Sequence, residues 1–93
     1  MNKGVAGYVA TKKEIVNIIN AYSDLRFNKE IDIKSNYKTK CILAAPIMDG
    51  DSCIGVLQCI NKVNGHFTSE DEALLKIICE YSKIVLKNTM DND

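Results

Sequence analysis

The architecture of this chain is indicated most clearly by two neighbouring segments: Gly55-Val56-Leu57-Gln58-Cys59-Ile60-Asn61-Lys62 and Phe67-Thr68-Ser69-Glu70-Asp71-Glu72. The first is apolar and typical of a strand, which we predict over Cys53 to Asn61. In the second, Thr68 and Asp71 have the spacing of a capping box, and acidic residues favour the first turn of a helix. The chain therefore contains a predicted strand, a short polar loop and a helix, in that order.

The helix is predicted over residues 68–88, because apolar residues recur there at helical spacing. One stripe consists of Ala73, Leu74, Ile77, Ile78, Tyr81, Ile84 and Val85, and a second of Leu75, Cys79, Ser82 and Leu86. Together they form an apolar face wider than contact with one sheet needs. Two interpretations follow: a deeply buried helix, or a helix that packs on the sheet and also on another chain.

A second strand is predicted just upstream, over Cys41 to Ile47. The turn residues Asp49-Gly50-Asp51 join it to the following strand as a hairpin. Pro46 near the end of the strand predicts an edge position or a bulge. Both strands are apolar on both faces, so we expect the sheet to be covered on both sides.

Gln58 is the exception in the second strand of the hairpin, because it is polar among apolar residues. Alternation places its side chain on the same face as Ile54, Val56 and Ile60. A buried amide needs hydrogen-bond partners. We therefore expect Gln58 either to bond a neighbouring loop or to point into a pocket.

The first forty residues predict smaller elements. Gly4 to Ala10 is predicted as a short helix entered through a glycine turn, and Glu14 to Ile18 as a short strand. Asn20 to Lys40 is polar and is predicted to be a loop with one or two short helical turns. A connection of this length is often functional.

Composition excludes several classes of protein. The chain has 93 residues, with 12 Lys and Arg balanced by 12 Asp and Glu. This balance lacks the basic stripe that binds a phosphate backbone, so we expect no nucleic-acid partner. No apolar run approaches the ~18 residues of a membrane span, and the N-terminus lacks a secretory signal. We expect a cytoplasmic protein without a membrane partner.

Chemically reactive motifs are missing from the sequence. The cysteines lie in apolar surroundings, without a C-x-x-C spacing or a close histidine pair, and predict reduced, buried thiols rather than a metal site: Cys41, Cys53, Cys59 and Cys79. His66 lies in a polar loop and is interpreted as solvated. There is no phosphate-binding loop, dinucleotide motif or metalloprotease motif. We expect this segment to be non-catalytic and to hold no metal or cofactor.

The spacing of Asn61-Lys62, Phe67 and Asp71-Glu72 matches the N-K-x(n)-F-x(3)-D-E signature, and the chain resembles the GAF domains of cyclic-nucleotide phosphodiesterases and related cyclases. Other segments resemble the same family in the same order: the glycine-flanked residues 4–10, residues 16–22, residues 37–43 and residues 55–62. The resemblance extends over about residues 4–88. Several motifs in register are far more specific than any one alone.

The resemblance implies an α+β fold, a GAF-like antiparallel sheet with helices on both faces. GAF domains of this group begin with a helix and opening strands that have no counterpart here. We therefore expect residues 1–93 to be an incomplete domain, its C-terminal part. Its expected parts are a lid segment at 4–40, a strand hairpin at 41–61 and a C-terminal helix at 68–88.

The resemblance also implies a ligand site between the sheet and the lid. By position, Val5 and Ala6 would offer backbone groups, and Gln58 would reach the ligand from the sheet floor. The lid side would contribute Asn28, Asp32, Ser35 and Thr39. A structural role is implied for the signature residues Asn61, Lys62, Phe67, Asp71 and Glu72. The resemblance implies that Lys62 and Asp71 form a salt bridge beneath the pocket, which we expect Phe67 to cover from water.

Three functions remain open at this point. The first is a regulatory module that binds cGMP or cAMP within a cyclic-nucleotide phosphodiesterase, as a homodimer through the last helix. The second is a dimerisation module without a ligand, which the two apolar stripes of that helix favour. The third is a thiol-dependent free-methionine-sulfoxide reductase, an activity found in some small stand-alone members of the family.

Overall fold

The computed structural model describes residues 4–91 of the chain. In chain order the elements are helix α1 (Gly4–Lys12), strand β1 (Val16–Ile18), a 3₁₀ turn (Ala21–Ser23), helix α2 (Lys29–Ser35), strand β2 (Ile42–Asp49), strand β3 (Ser52–Ile60) and helix α3 (Ser69–Asp91). Every helix, strand and helical turn predicted from the sequence is present, with ends shifted by only a few residues. None of the helices within residues 4–91 is long and apolar enough to cross a membrane.

The strands form one antiparallel sheet in the order β1-β2-β3, with β2 in the centre. β1 is short, and its pairing with β2 runs from Val16 opposite Ala44 to Ile18 opposite Ile42. β2 and β3 form the predicted hairpin. Gly50 in its turn has a φ of +62°, a conformation that a residue without a Cβ adopts freely.

Pro46 lies in the central strand, but beyond the stretch that pairs with β1, so its local position agrees with the expected edge position. The proline is tolerated because the pairing with β1 extends only to Ala44, which leaves this part of β2 without a second partner strand among residues 4–91. The alternative expectation, a bulge, is confirmed by a register shift between Ile47 and Met48. The shift leaves Ile54 unpaired, and it packs towards α3, so it does not share the face of Gln58 as alternation predicted.

Helices cover both faces of the sheet, which confirms the α+β fold class. On one face, α1 packs on β2 and β3 and forms the α1-side core, whose buried members include Val5, Val9, Ile42 and Ala44. On the other face, α3 packs on β2 and forms the α3-side core, which includes Leu43, Ile47, Phe67, Leu75 and Cys79. β2 is therefore buried on both faces, whereas most of β3 is only half-buried.

The capping box of α3 is confirmed. The Thr68 backbone N–H donates to Asp71 Oδ2 at 2.8 Å, and the Asp71 N–H donates to Thr68 Oγ1 at 3.3 Å. Leu75 and Cys79 are buried against the sheet, but six large apolar side chains of the other stripe are between 43% and 69% exposed: Leu74, Ile77, Ile78, Tyr81, Ile84 and Val85. We call these the exposed stripe. The interpretation of α3 as a deeply buried helix is wrong for the described chain, because one of its two stripes is largely exposed.

The predicted loop between β1 and β2 contains the 3₁₀ turn and α2. Asn28 caps the start of α2 by accepting a hydrogen bond from the Glu30 N–H at 3.0 Å. Asn36 ends it in the left-handed conformation, with a φ of +58°. The helix has only seven residues, so these two caps define most of its geometry.

Candidate ligand cavity

One cavity of about 250 Å³ lies between the start of α1, α2 and the outer part of the sheet. Six of the seven residues that the sequence implied for the ligand site line it: Val5, Ala6, Asn28, Asp32, Thr39 and Gln58. They come from α1, from the connection between β1 and β2, and from β3, and are far apart in the chain. Bringing them together at one place is the main contribution of the tertiary structure to the site.

Ser35 does not line the cavity. It is exposed at the end of α2, where its hydroxyl donates to the Ile31 carbonyl at 2.9 Å. The hydroxyl is therefore used within the helix rather than directed towards the cavity. The positional expectation for Ser35 is not met by the geometry.

The apolar part of the cavity is not predictable from the sequence pattern. Phe27, Ile31, Ile42 and Ile60 line it together with Gly4. Periodicity could not single them out, because apolar residues of this kind also build the core. The result is a largely apolar cavity with a few polar groups, the composition common in small-molecule sites.

The start of α1 supplies the electropositive side of the cavity. Val5 and Ala6 lie in the first turn of the helix, where backbone N–H groups have no partner within the helix. The Val5 side chain is buried in the α1-side core, so its backbone is the part left to face a ligand. The helix dipole adds a partial positive charge there, which favours an anion.

Gln58 lies on β3, paired in register with Ala44. It is exposed, not buried, and its amide makes no hydrogen bond to any residue between 4 and 91. Gln58 was expected either to bond a neighbouring loop or to point into a pocket, and its place in the cavity lining agrees with the second expectation. A free amide on the sheet side can both donate to and accept from a polar ligand.

Asp32 lines the cavity, but its carboxylate is already bonded. Oδ2 accepts from the Thr39 N–H and the Tyr22 hydroxyl, and Oδ1 accepts from the Thr39 hydroxyl at 2.7 Å. Burial by itself would raise the pKa of Asp32, but these hydrogen bonds outweigh it and hold the pKa below its usual value. Asp32 is therefore a buried, ionised group that joins the lid to the chain leading into β2.

Asn61 of the signature connects the segment between α2 and β2 to the end of β3. Its Oδ1 accepts from the backbone N–H groups of Lys40 and Cys41, at 2.5 and 3.3 Å. Its Nδ2 donates to the Lys38 carbonyl and the Tyr37 hydroxyl, both at 2.9 Å. The residue has a φ of +58°, which asparagine tolerates better than most residues. Asn61 thus positions the segment that carries Thr39.

Lys62 and Asp71 are joined, with Nζ 2.6 Å from Oδ2. The pair is not buried as expected, since each side chain is about one-third exposed, at 32% and 29%. Phe67 packs into the α3-side core instead. The hydrogen bond from Lys62, followed by that from the Thr68 backbone, lowers the pKa of Asp71.

Two residues outside the expected set connect the site to the fold. Asn17 of β1 donates from Nδ2 to the Phe67 carbonyl and to Glu72 Oε2, both at 2.9 Å, and so anchors the start of α3 to the sheet. Its polarity within a strand of β-branched neighbours is the sequence signal that could have marked it. Tyr22 contacts Asp32, and its sequence signal is its place in the segment 16–22 that resembles the family.

The thiols are free, and Cys41 and Cys79 are buried. Burial raises the pKa of Cys79, which disfavours the reactive thiolate. Residues 4–91 contain no cluster of His, Cys, Asp and Glu side chains arranged to hold a metal ion.

The chain is similar to known phosphodiesterases. It is 48% identical over 86 residues to the probable 3′,5′-cyclic phosphodiesterase pde-5 of Caenorhabditis elegans, an alignment that covers 92% of this chain and 12% of that protein. It is 39% identical over 88 residues to the alpha subunit of the rod cGMP-specific 3′,5′-cyclic phosphodiesterase of Homo sapiens, covering 94% of this chain and 10% of that protein. The chain therefore spans only about a tenth of the length of these relatives.

The fold has counterparts among solved structures. The GAF domain from an Acinetobacter phosphoenolpyruvate-protein phosphotransferase matches 99% of this chain with a TM-score of 0.75 and 26% identity, and the match covers 53% of that chain. The sequence profile of the GAF domain matches residues 1–85. Since that profile covers most of the sequence and the structure has the corresponding fold, the chain belongs to the GAF domain family.

Proposed function

We propose that this chain is a regulatory module that binds a cyclic nucleotide, cGMP or cAMP, as part of a cyclic-nucleotide phosphodiesterase. The observation that carries the proposal is the single cavity at which six residues from distant parts of the chain meet. The similarity to cyclic-nucleotide phosphodiesterases adds support. The activity of the whole protein is part of the proposal, as is a cytoplasmic location, with which the free thiols are consistent.

The cavity chemistry suits the parts of such a ligand. The first turn of α1 would hold the anionic phosphate near Val5 and Ala6. Gln58 would bond the polar edge of the base or the ribose from the sheet floor. Phe27 and Ile31 would cover the apolar faces of the base, because both line the cavity.

The size of the cavity implies that the lid moves. Ligand sites commonly have about 300–1,000 Å³, and this cavity has about 250 Å³. Binding would therefore shift α2 outward and re-order it over the ligand. The movement would reach α3 in two steps. Asn61 links the segment before β2 to the end of β3, and Lys62 links the end of β3 to α3.

The test is calorimetric titration of the full-length protein with cGMP and with cAMP. We expect at least one nucleotide to bind, and Gln58→Leu to weaken that binding about tenfold or more, since the change removes the amide at nearly constant size. Ser35→Ala is the matched control, because Ser35 lies in the lid but does not line the cavity. No binding heat with either nucleotide would reject the proposal.

We further propose that two copies of this chain associate through the exposed stripe of α3. Leu74 and Tyr81, Ile77 and Ile84, and Ile78 and Val85 are each seven residues apart. A seven-residue apolar repeat is the pattern by which helices pair along their length. An exposed apolar row of this kind otherwise favours aggregation of a protein in water.

The oligomeric state of the full-length protein tests this association. Ile77→Glu should shift the protein from dimer towards monomer in sedimentation equilibrium. Leu25→Glu, which places the same charge on an exposed apolar residue of the lid segment, should not. A wild-type protein that stays monomeric at micromolar concentration would reject the association without affecting the nucleotide proposal.

A further inference from the structure

Three segments of the lid region meet at one carboxylate. Tyr22 belongs to the 3₁₀ turn, Asp32 to α2, and Thr39 to the segment leading into β2. The Tyr22 hydroxyl donates to Asp32 Oδ2 at 2.9 Å, and Thr39 donates to both carboxylate oxygens. The hydroxyl of Tyr22 is thus one of the contacts that attach α2 to the 3₁₀ turn.

The ring of Tyr22 contacts one residue at the start of α2 and one just after its end. The Lys29 Nζ at the start of α2 and the Lys38 Nζ after its end each lie 5.5 Å from the ring centroid. At this distance a cation is attracted to the face of an aromatic ring. The ring also packs on Phe27, with centroids 5.5 Å apart.

α2 has little apolar packing of its own to hold it in place. Among its seven described residues only Asp32 is buried, and Ile31 and Ile33 are mostly exposed. The lid is therefore attached chiefly by polar contacts, of which the Asp32 carboxylate accepts three. The Tyr22 hydroxyl supplies one of these three hydrogen bonds, so its loss should favour movement of α2 away from the 3₁₀ turn.

Tyr22 acts on the cavity without lining it. Phe27 and Asp32 both line the cavity and both contact Tyr22 directly. We propose that Tyr22 is a positioning residue for the ligand cavity, and that its hydroxyl is a latch that keeps the α2 lid closed. This inference rests on the proposed binding of a cyclic nucleotide and adds the element that regulates access to that site.

Tyr22→Phe tests the latch, because it removes the hydroxyl and keeps the ring. In hydrogen exchange on the full-length protein without ligand, amides of α2 should exchange about tenfold faster or more, as expected for loss of a hydrogen bond to a charged group. Amides of β2 should be unchanged. Ser23→Ala, which removes an exposed hydroxyl from the same 3₁₀ turn, is the matched control.

Ligand release gives the functional readout. If cGMP or cAMP binds, its dissociation from Tyr22→Phe should be about tenfold faster, and its dissociation from Ser23→Ala should be unchanged. Asp32→Asn, which keeps the shape but weakens the acceptor, should reproduce the faster exchange in α2.

The outcomes separate the two proposals. If the α2 amides of Tyr22→Phe exchange as slowly as in the wild type, the latch is overturned. If the β2 amides are accelerated as much as those of α2, the substitution destabilises the whole domain and the latch is also overturned. If neither nucleotide binds wild-type protein, the proposed function fails, while the exchange of α2 still decides whether the latch exists.

Discussion

Asp71 both caps α3 and binds Lys62 through the same carboxylate oxygen. Oδ2 lies 2.6 Å from Lys62 Nζ and accepts the Thr68 N–H at 2.8 Å. A helix cap and a salt bridge are usually treated as alternative interpretations of such a residue. Here both contacts share one acceptor oxygen, so the carboxylate that caps α3 also attaches the start of α3 to the end of β3.

The first prediction concerns acid stability. The Lys62 hydrogen bond, with that of Thr68, lowers the pKa of Asp71 in the folded state. The carboxylate therefore stabilises the fold above its unfolded pKa of about 4, and this contribution is lost as the pH falls through the lowered folded value. We expect Asp71→Asn to be less stable than wild type at pH 7, with the difference shrinking towards pH 2.

Urea unfolding across this pH range measures the effect. Asp51→Asn is the control, because Asp51 is exposed in the hairpin turn and forms no ion pair with residues 4–91. Parallel pH profiles for wild type and Asp71→Asn would show that the pair contributes nothing to acid sensitivity.

The second prediction concerns Asn61. Asn61→Ala removes the acceptor of the Lys40 and Cys41 N–H groups and the donor to the Lys38 carbonyl. Unpaired polar groups of this kind cost about 1–3 kcal/mol each when buried. Since Lys38 and Lys40 are exposed and only the Cys41 N–H belongs to a buried residue, we expect a total loss of about 1–3 kcal/mol in the free energy of unfolding.

Asn64→Ala is the matched control, because Asn64 lies exposed in the loop that follows. It should change the free energy of unfolding by less than about 0.5 kcal/mol, as ordinary surface substitutions do. Equal effects of the two substitutions would mean that the amide of Asn61 has no structural role.

The third prediction concerns the approach of α3 to β3. A Cβ on Gly55 would lie 3.2 Å from Ile47 Cδ1 and 3.7 Å from Leu86 Cδ1. Gly55→Ala should be tolerated by small rearrangement of these flexible ends, whereas Gly55→Val should cost about 1–3 kcal/mol by overpacking. Thermal unfolding of the two variants checks this order, and a valine variant as stable as the alanine variant would contradict the close packing.

The fourth prediction concerns the thiols. Cys41 and Cys79 are buried, and burial raises the pKa of Cys79, so both should react slowly with a thiol reagent in the native protein. Cys53 and Cys59 are less buried and should react first. Mass spectrometry of partly labelled protein gives the order. Fast labelling of Cys79 under native conditions would reopen the interpretation as a thiol-dependent reductase.

Much of the fold could be predicted from the sequence because it depends on local rules. The capping box at Thr68 marks the start of α3, and the turn at Gly50 marks the hairpin. These features act between residues close in the chain, so propensity and spacing are enough to find them. Ordered motifs also led to the family, and through it to residues of the cavity such as Asn28 and Gln58.

What the sequence alone determined is therefore the element order, the hairpin, the cap of α3 and the family. Only the tertiary structure decided which partner each polar group takes. It bonded Asp32 to Tyr22 and Thr39, turned Ser35 away from the cavity, and left one stripe of α3 exposed. The physical reason is that hydrogen bonds and burial depend on atoms that folding brings together from distant segments, and neither alternation nor helical spacing contains those distances.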